Sequence, residues 1–250
     1  MTGPAADLAG LPEHVQRLVT NAGRLPRMRT ERPSSTARRS AVLILFGEGP
    51  AGPDVLLIEK SPHLRSHAGQ PAFPGGGADP GDEFPVGTAL REAHEEAGVS
   101  PDGVRVLAVL PELFLGHSDN LVVPVVGWWD DPREVTTGDP REVARVARVP
   151  LADLVDPANR YRVRIATGYV GPAFGVAGMV VWGFTAALLD SVLTAAGLDR
   201  PWDTTDVRPL ATPAGGPEPG RFPGPGAPVA APTDDDDAAR GAAARTVPGP

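Results

Sequence analysis

Apolar positions along this chain recur in two rhythms. Short runs at Ala41–Phe46 and Asp54–Glu59 flank a GEGPAGP segment and predict a β-hairpin. Val104–Leu110 and Leu121–Trp129 predict two further strands, the second Val-rich and interrupted by Pro124. Val143–Leu154 holds a short strand and a turn. Tyr161–Ala166 alternates like a strand, and Val176–Trp182 is the last predicted strand. Helical spacing appears at Pro12–Ala22, between Pro85 and Gly98, and over Phe184–Ala196, a closing helix of about three to four turns. Ser61–Gly77 reads as a loop. Strands interspersed with a few helices point to an α/β or α+β domain.

Composition then sets limits. The chain has 250 residues with 30 Gly and 30 Pro, concentrated towards the C-terminus. From about Gly197, Pro, Gly and Ala dominate, broken by the acidic run Asp234–Asp237. Too few large apolar residues remain there to offset the entropy of ordering, so residues 198–250 are expected to be a disordered tail. Residues 1–37 are read as an N-terminal helix and a basic connector, and residues 38–197 as the folded domain. A net charge of −8 argues against general nucleic-acid binding through the phosphate backbone. The absence of Cys excludes disulfides and thiolate chemistry and fits a cytoplasmic location. The N-terminus lacks a basic-then-apolar leader. The longest weakly polar run, Phe174–Leu189, is shorter than the ~20 residues of a spanning helix, so no membrane partner is expected.

Candidate chemistry sits in residues 77–99, GADPGDEFPVGTALREAHEEAGV. Pro85 suits the first turn of a helix and Gly98 the position just past its end. Val86, Leu90, Ala93 and Ala97 make a narrow apolar stripe. Glu92, Glu95 and Glu96 fall on the other side, within an arc of roughly 100°. Like charges at these spacings repel by about 0.2–0.5 kcal/mol per pair. A bound cation reverses that repulsion, and carboxylates on a rigid helix suit Mg²⁺ or Mn²⁺. A Glu-rich face alone is ordinarily a solvated one. Here the Gly-rich loop, Glu83 and Arg91 also sit at fixed spacings.

The whole stretch fits G-x5-E-x7-R-E-U-x-E-E-x-G-U, with U small or aliphatic, through Gly77, Glu83, Arg91, Glu92, Ala93, Glu95, Glu96, Gly98 and Val99. That is the Nudix box, and the chain resembles a Nudix hydrolase. The resemblance covers roughly residues 38–197 and implies an α/β/α sandwich with a curved mixed sheet. It implies metal ligands at Glu92 and Glu96, with Glu95 as a further ligand or a catalytic water-orienting carboxylate. A backbone carbonyl near Gly77 would complete the shell. It also implies that Glu83 and Arg91 brace the loop against the helix by a salt bridge. A homodimer is common in the family.

Just ahead of the box, residues 56–76 read LLIEKSPHLRSHAGQPAFPGG. This is similar to L-L-T-x-R-S-x3-R-x3-G-x3-F-P-G-G of coenzyme A pyrophosphatases, matching at Leu56, Leu57, Ser61, Arg65, Gly69 and Phe73–Gly76. Ile58 replaces Thr and Lys60 replaces Arg, which keeps the charge without the bidentate fork. Pro172–Phe174 and Trp182–Ala186 also look like that subgroup. The subgroup implies cleavage of coenzyme A or an acyl derivative to 3′,5′-ADP and 4′-phosphopantetheine. Arg65 and Lys60 would contact phosphate, and metal ions would neutralise developing charge and lower the pKa of the attacking water.

The general base is left open among several acids. Glu142, in DPREV, sits where some relatives place a carboxylate; Glu112 and Asp119 compete. His63, His67 and His117 are read as pocket or surface residues. Two other readings remain: a pyrophosphatase for ADP-ribose, NADH or another nucleoside diphosphate derivative, and a silent Nudix-like domain that binds a nucleotide to regulate a partner. A silent domain would be expected to lose the metal glutamates, and this chain keeps all of them.

Overall fold

The computed structural model describes residues 8–25, 34, 36–64, 67–166 and 168–210. Four α-helices and twelve strands are found among them. The hairpin is longer than the apolar runs alone suggest. Strand β1 spans Arg38–Gly49 and β2 spans Gly52–Lys60, so that only Pro50 and Ala51 separate them. Glu48 and Gly49 still find ladder partners, Pro53 and Gly52, which extends pairing through residues that read as a turn.

β1 is the organising strand. Along its other edge it pairs in parallel with β7 (Asn120–Trp129) from Arg38↔Asn120 to Gly47↔Trp129. Beyond β7 lie β5 (Val104–Val109) and the short β6 (Leu113–Leu115), both antiparallel to it. β8 (Val143–Pro150) pairs antiparallel with the outer edge of β2. Towards the start of β1 the hairpin strands part. Two short strands fill the fork: β3 (Pro71–Ala72) on β2 and β4 (Gly75–Gly77) on β1. The segment that read as a plain loop therefore joins the sheet. The result is a mixed eight-stranded sheet.

Alternation along β1 assigns its two faces. Ala41, Leu43 and Leu45 pack with Leu56, Ile58 and Val125 against α2 (Val86–Ala97), through Ala89, Ala93 and Ala97. Ile44 and Phe46 pack on the opposite face with Leu57, Val126 and the apolar side of α4 (Gly183–Ala195), including Leu188, Leu189 and Val192. Helix α1 (Glu13–Asn21) joins that second layer through Val15 and Leu18. The expected α/β/α arrangement is thus present. The N-terminal helix is part of it rather than a separate appendage.

The stripe on α2 differs from the expected one. Val86 and Leu90 are only half-buried, whereas Ala89 and Thr88 are fully enclosed. Three alanines at four-residue spacing let the helix axis come close to the sheet. Glu96 is also drawn inside, at 4% exposure. Gly98 ends the helix in the left-handed conformation at φ 69°, as the sequence indicates.

A second sheet, missed in part by the periodicity, contains β9 (Arg160–Arg164), β10 (Val170–Val176), β11 (Met179–Val181) and β12 (Val207–Pro209). α3 (Leu151–Val155) leads into it. Val176 closes β10, and a turn at Ala177-Gly178, both at positive φ, starts β11, so Val176–Trp182 is not one strand. The expected start of the tail is corrected as well. β12 pairs in parallel with β9, and Trp202 covers Arg160, whose guanidinium carbon lies 4.7 Å from the Trp ring centre. Residues 198–210 are therefore built into the domain. The rest of the expected tail, residues 211–250, lies outside the described residues.

Candidate metal and diphosphate site

The site forms where α2 crosses β4. Glu92, near the middle of α2, lays its carboxylate against Gly76. A Cβ added to Gly76 would overlap the Glu92 carboxylate, so the absent side chain is the space the carboxylate occupies. Glu96, one turn on, accepts a hydrogen bond from the Gly75 amide at 2.9 Å through Oε2. Its other oxygen, Oε1, is in contact with Lys60 Nζ. Burial raises the Glu92 carboxyl above the ordinary glutamate range, with Glu96 and Glu95 adding repulsion and Arg91 opposing. The three glutamates are thus close enough to feel one another.

Arg91 is the hub of the box. Its Nη2 lies 2.9 Å from the Gly77 carbonyl, 3.1 Å from Glu92 Oε1 and 3.1 Å from Asp82 Oδ2. Its Nη1 donates to Glu95 Oε2 at 2.9 Å. The expected partner, Glu83, is replaced by Asp82. Asp82 receives Nε as well as Nη2, and it accepts from Thr88 Oγ1 at 2.8 Å and from the Asp79 amide at 3.0 Å. These donors, Arg91 first, hold the Asp82 carboxyl down to about 2. Glu83 instead turns its stem towards Gly87. The two acids are neighbours of equal charge, and only the path of the loop into α2 decides which one faces the guanidinium.

Other sequence-selected residues divide by position. Lys60 does reach the site, but its ammonium rests on Glu96. Glu95 is 55% exposed on its side chain and is held by Arg91 on the outer rim. Arg65 lies outside the described residues. Glu142 is brought in by a loop that sits on the end of α2. The Gly138 amide donates to Glu96 O, and a Cβ on Gly138 would overlap the Glu95 carbonyl oxygen. The loop then returns so that Glu142 O accepts from the Ser61 amide at 2.8 Å, next to Lys60. The Glu142 side chain is exposed. Asp119, a competing acid, is engaged by Ser34 Oγ beside Arg38 at the start of β1, the end on which β4 lies. His63 is exposed, and His67 pairs with Gln70 at 3.0 Å. The side chain of His117 lies outside the described part of the structure.

On the other face of β4 lies a cavity of about 210 Å³ that the sequence does not reveal. Arg38, Ser40, Asn120, Trp182 and Phe184 are among its walls. Lys60, Gly75 and Gly76 line it too, so one glycine strand is all that separates it from the glutamates. Pairing of Ser40 Oγ with Asn120 Oδ1 at 2.9 Å fixes one wall. The signal for this pocket was present only in the shared parity of Arg38, Ser40 and Val42 on β1.

The donor chemistry fits a hard divalent cation. Glu92, Glu96 and the Gly77 carbonyl offer oxygen only, on a helix and a strand fixed to each other. Among the described residues no three acidic or histidine side chains already converge. Lys60 and Arg91 instead supply the positive charge between the carboxylates.

A family profile described as the NUDIX domain matches residues 36–167. The chain belongs to the Nudix family. Relatives named uncharacterized Nudix hydrolase NudL are similar to it. The protein from Yersinia enterocolitica is 38% identical over 160 residues, covering 62% of this chain and 80% of the relative. That from Pectobacterium atrosepticum is 36% identical over 179 residues, covering 68% and 88%. Among solved structures, the Nudix hydrolase RenU of M. smegmatis aligns with a TM-score of 0.41 at 24% identity, over 52% of this chain and 81% of that one. The present Nudix protein is accordingly a hydrolase of pyrophosphate-type substrates, and its family uses divalent metal ions. No helix among its described residues is long and apolar enough to cross a membrane.

Proposed function

We propose that this Nudix hydrolase cleaves the diphosphate of coenzyme A or acyl-coenzyme A, releasing 3′,5′-ADP and (acyl-)4′-phosphopantetheine. The observation that carries the metal-dependent part is the seating of Glu92 and Glu96 on the Gly75–Gly77 strand, beside a cavity that shares this strand. The choice of coenzyme A rests on the residues ahead of the box, Leu56–Gly76, which match the subgroup motif at the nine positions named above.

Glu92, Glu96 and the Gly77 carbonyl would hold Mg²⁺ or Mn²⁺. Such a cation supplies Lewis acidity and offsets the charge that builds on the phosphoryl oxygens. Arg91 keeps Gly77 and Glu92 in register and, through Asp82, ties the preceding loop to the helix. Lys60 presents a point charge to the diphosphate. Glu142, on the exposed loop beside Ser61, accepts the proton of the attacking water. Glu95 orients that water from the outer rim once it leaves Arg91.

The deciding experiment is a mass-spectrometric product assay with coenzyme A, acetyl-coenzyme A, ADP-ribose and NADH, each with Mg²⁺ or Mn²⁺. The expected outcome is metal-dependent release of 3′,5′-ADP, fastest from a coenzyme A species. Turnover of ADP-ribose or NADH alone would retain the metal site and remove the coenzyme A assignment.

A further inference from the structure

Lys60 is the sole lysine in the chain, and it is placed between two environments. Its Nζ rests on Glu96 Oε1, with side-chain exposures of 20% for Lys60 and 5% for Glu96. Lys60 is also among the residues that line the cavity behind the glycine strand. Glu96 is otherwise satisfied through its second oxygen by the Gly75 amide. The contact between Lys60 and Glu96 therefore occupies the one carboxylate oxygen that the strand does not bind.

We infer that Lys60 is the counter-cation of Glu96, and that a divalent cation held at Glu96 would loosen its ammonium from that carboxylate and free it for the diphosphate at the same metal. This rests on the metal reading proposed above. The physical reason is competition. A doubly charged cation on the same carboxylate repels the ammonium and draws away the negative charge that holds it. An unbranched four-carbon stem can swing where a planar guanidinium, held by several bonds, cannot. Arg91 shows the contrast: it is fastened to Asp82 through two nitrogens and stays in place. Metal and diphosphate binding become linked, because the first frees the charge that the second uses. The Lys in place of the Arg of the similar motif is what makes the exchange available.

The test exploits the single lysine. Full-length protein labelled with ¹³Cε-lysine gives one side-chain resonance, which is followed during titration with Mg²⁺ and then with inorganic pyrophosphate. The resonance is expected to move on Mg²⁺ addition and to move again with pyrophosphate. A resonance unmoved by saturating Mg²⁺ overturns the inference. In parallel, calorimetric titration compares Mn²⁺ binding to the wild type, K60M and K60Q. Loss of the competing ammonium is expected to tighten Mn²⁺ about tenfold, the scale of one charge-assisted hydrogen bond. It should also reduce the gain in pyrophosphate affinity that Mn²⁺ brings. Equal or weaker Mn²⁺ binding in folded variants overturns the inference while leaving the metal site intact. No Mn²⁺ binding by the wild type removes the metal site itself and the inference with it.

Discussion

Arg91 grips Asp82, not the adjacent Glu83, with two of its nitrogens, Nε at 3.2 Å and Nη2 at 3.1 Å. This contact joins the loop after β4 to the helix that carries the glutamates. Asp82→Asn is expected to lower the melting temperature more than Glu83→Gln does. Thermal unfolding of the two variants checks this; a larger effect at Glu83 would return the brace to that residue.

The same pair fixes a pH window. The folded-state pKa of Asp82 is depressed, to about 2. Its stabilising contribution is therefore complete above the ordinary aspartate range near ~4 and is lost as pH falls through about 2. Acid unfolding followed by circular dichroism should show wild type and Asp82→Asn converging below about pH 2, with the gap restored above about pH 4. Parallel curves throughout would show that Arg91 does not set the Asp82 charge.

Glu96→Gln and Glu92→Gln should each reduce metal-dependent turnover by about a hundredfold or more, since each removes a charged oxygen ligand. Their far-ultraviolet circular dichroism should match that of the wild type. Unchanged rates would remove both residues from the metal site. Glu142→Gln is expected to lower kcat by about a hundredfold while leaving Mn²⁺ affinity as it is. A loss of Mn²⁺ affinity instead would make Glu142 a ligand rather than a base.

Two glycines separate function from stability. The atoms nearest a methyl group on Gly76 are those of the Glu92 carboxylate, a side-chain end that can swing aside. Gly76→Ala should therefore fold nearly as well as the wild type yet bind Mn²⁺ poorly. A methyl group on Gly138 meets the Glu95 backbone carbonyl, which cannot move without shifting the helix end. Gly138→Ala should cost about 1–3 kcal/mol in denaturant unfolding, as overpacking does. The reverse ranking would contradict this placement of both residues.

Truncation after Arg200 removes Trp202 from Arg160 and β12 from β9, whereas truncation after Leu210 leaves both. The shorter protein should be the less stable, and Trp202→Ala alone should cost about 1 kcal/mol through the lost cation–π contact. Equal melting temperatures for the two truncations would show that residues 201–210 add nothing to the fold.

Much of the architecture is legible in local pattern. The hairpin, the box helix with its Gly98 terminus, strands β5, β7 and β9 and the closing helix all carry strong periodicity or end signals. β10 escapes because VGPAFGV mixes two glycines and a proline into an apolar run. β12 escapes because three residues in a polar segment carry no period, and their strand state exists only through pairing with β9. β3 and β4 escape for the same reason: they are strands because the hairpin opens a fork for them.

Spacing along the chain is enough to point to the family and to the helix that carries the candidate carboxylates, since positions within one helix are set by local geometry. Which group faces which is settled by packing alone. Asp82 rather than Glu83 takes Arg91, Lys60 rests on Glu96, and a cavity opens behind a strand of glycines. These outcomes depend on how separate segments meet. Groups of the same charge and similar reach are indistinguishable in one dimension and differ only once the fold has given each a direction.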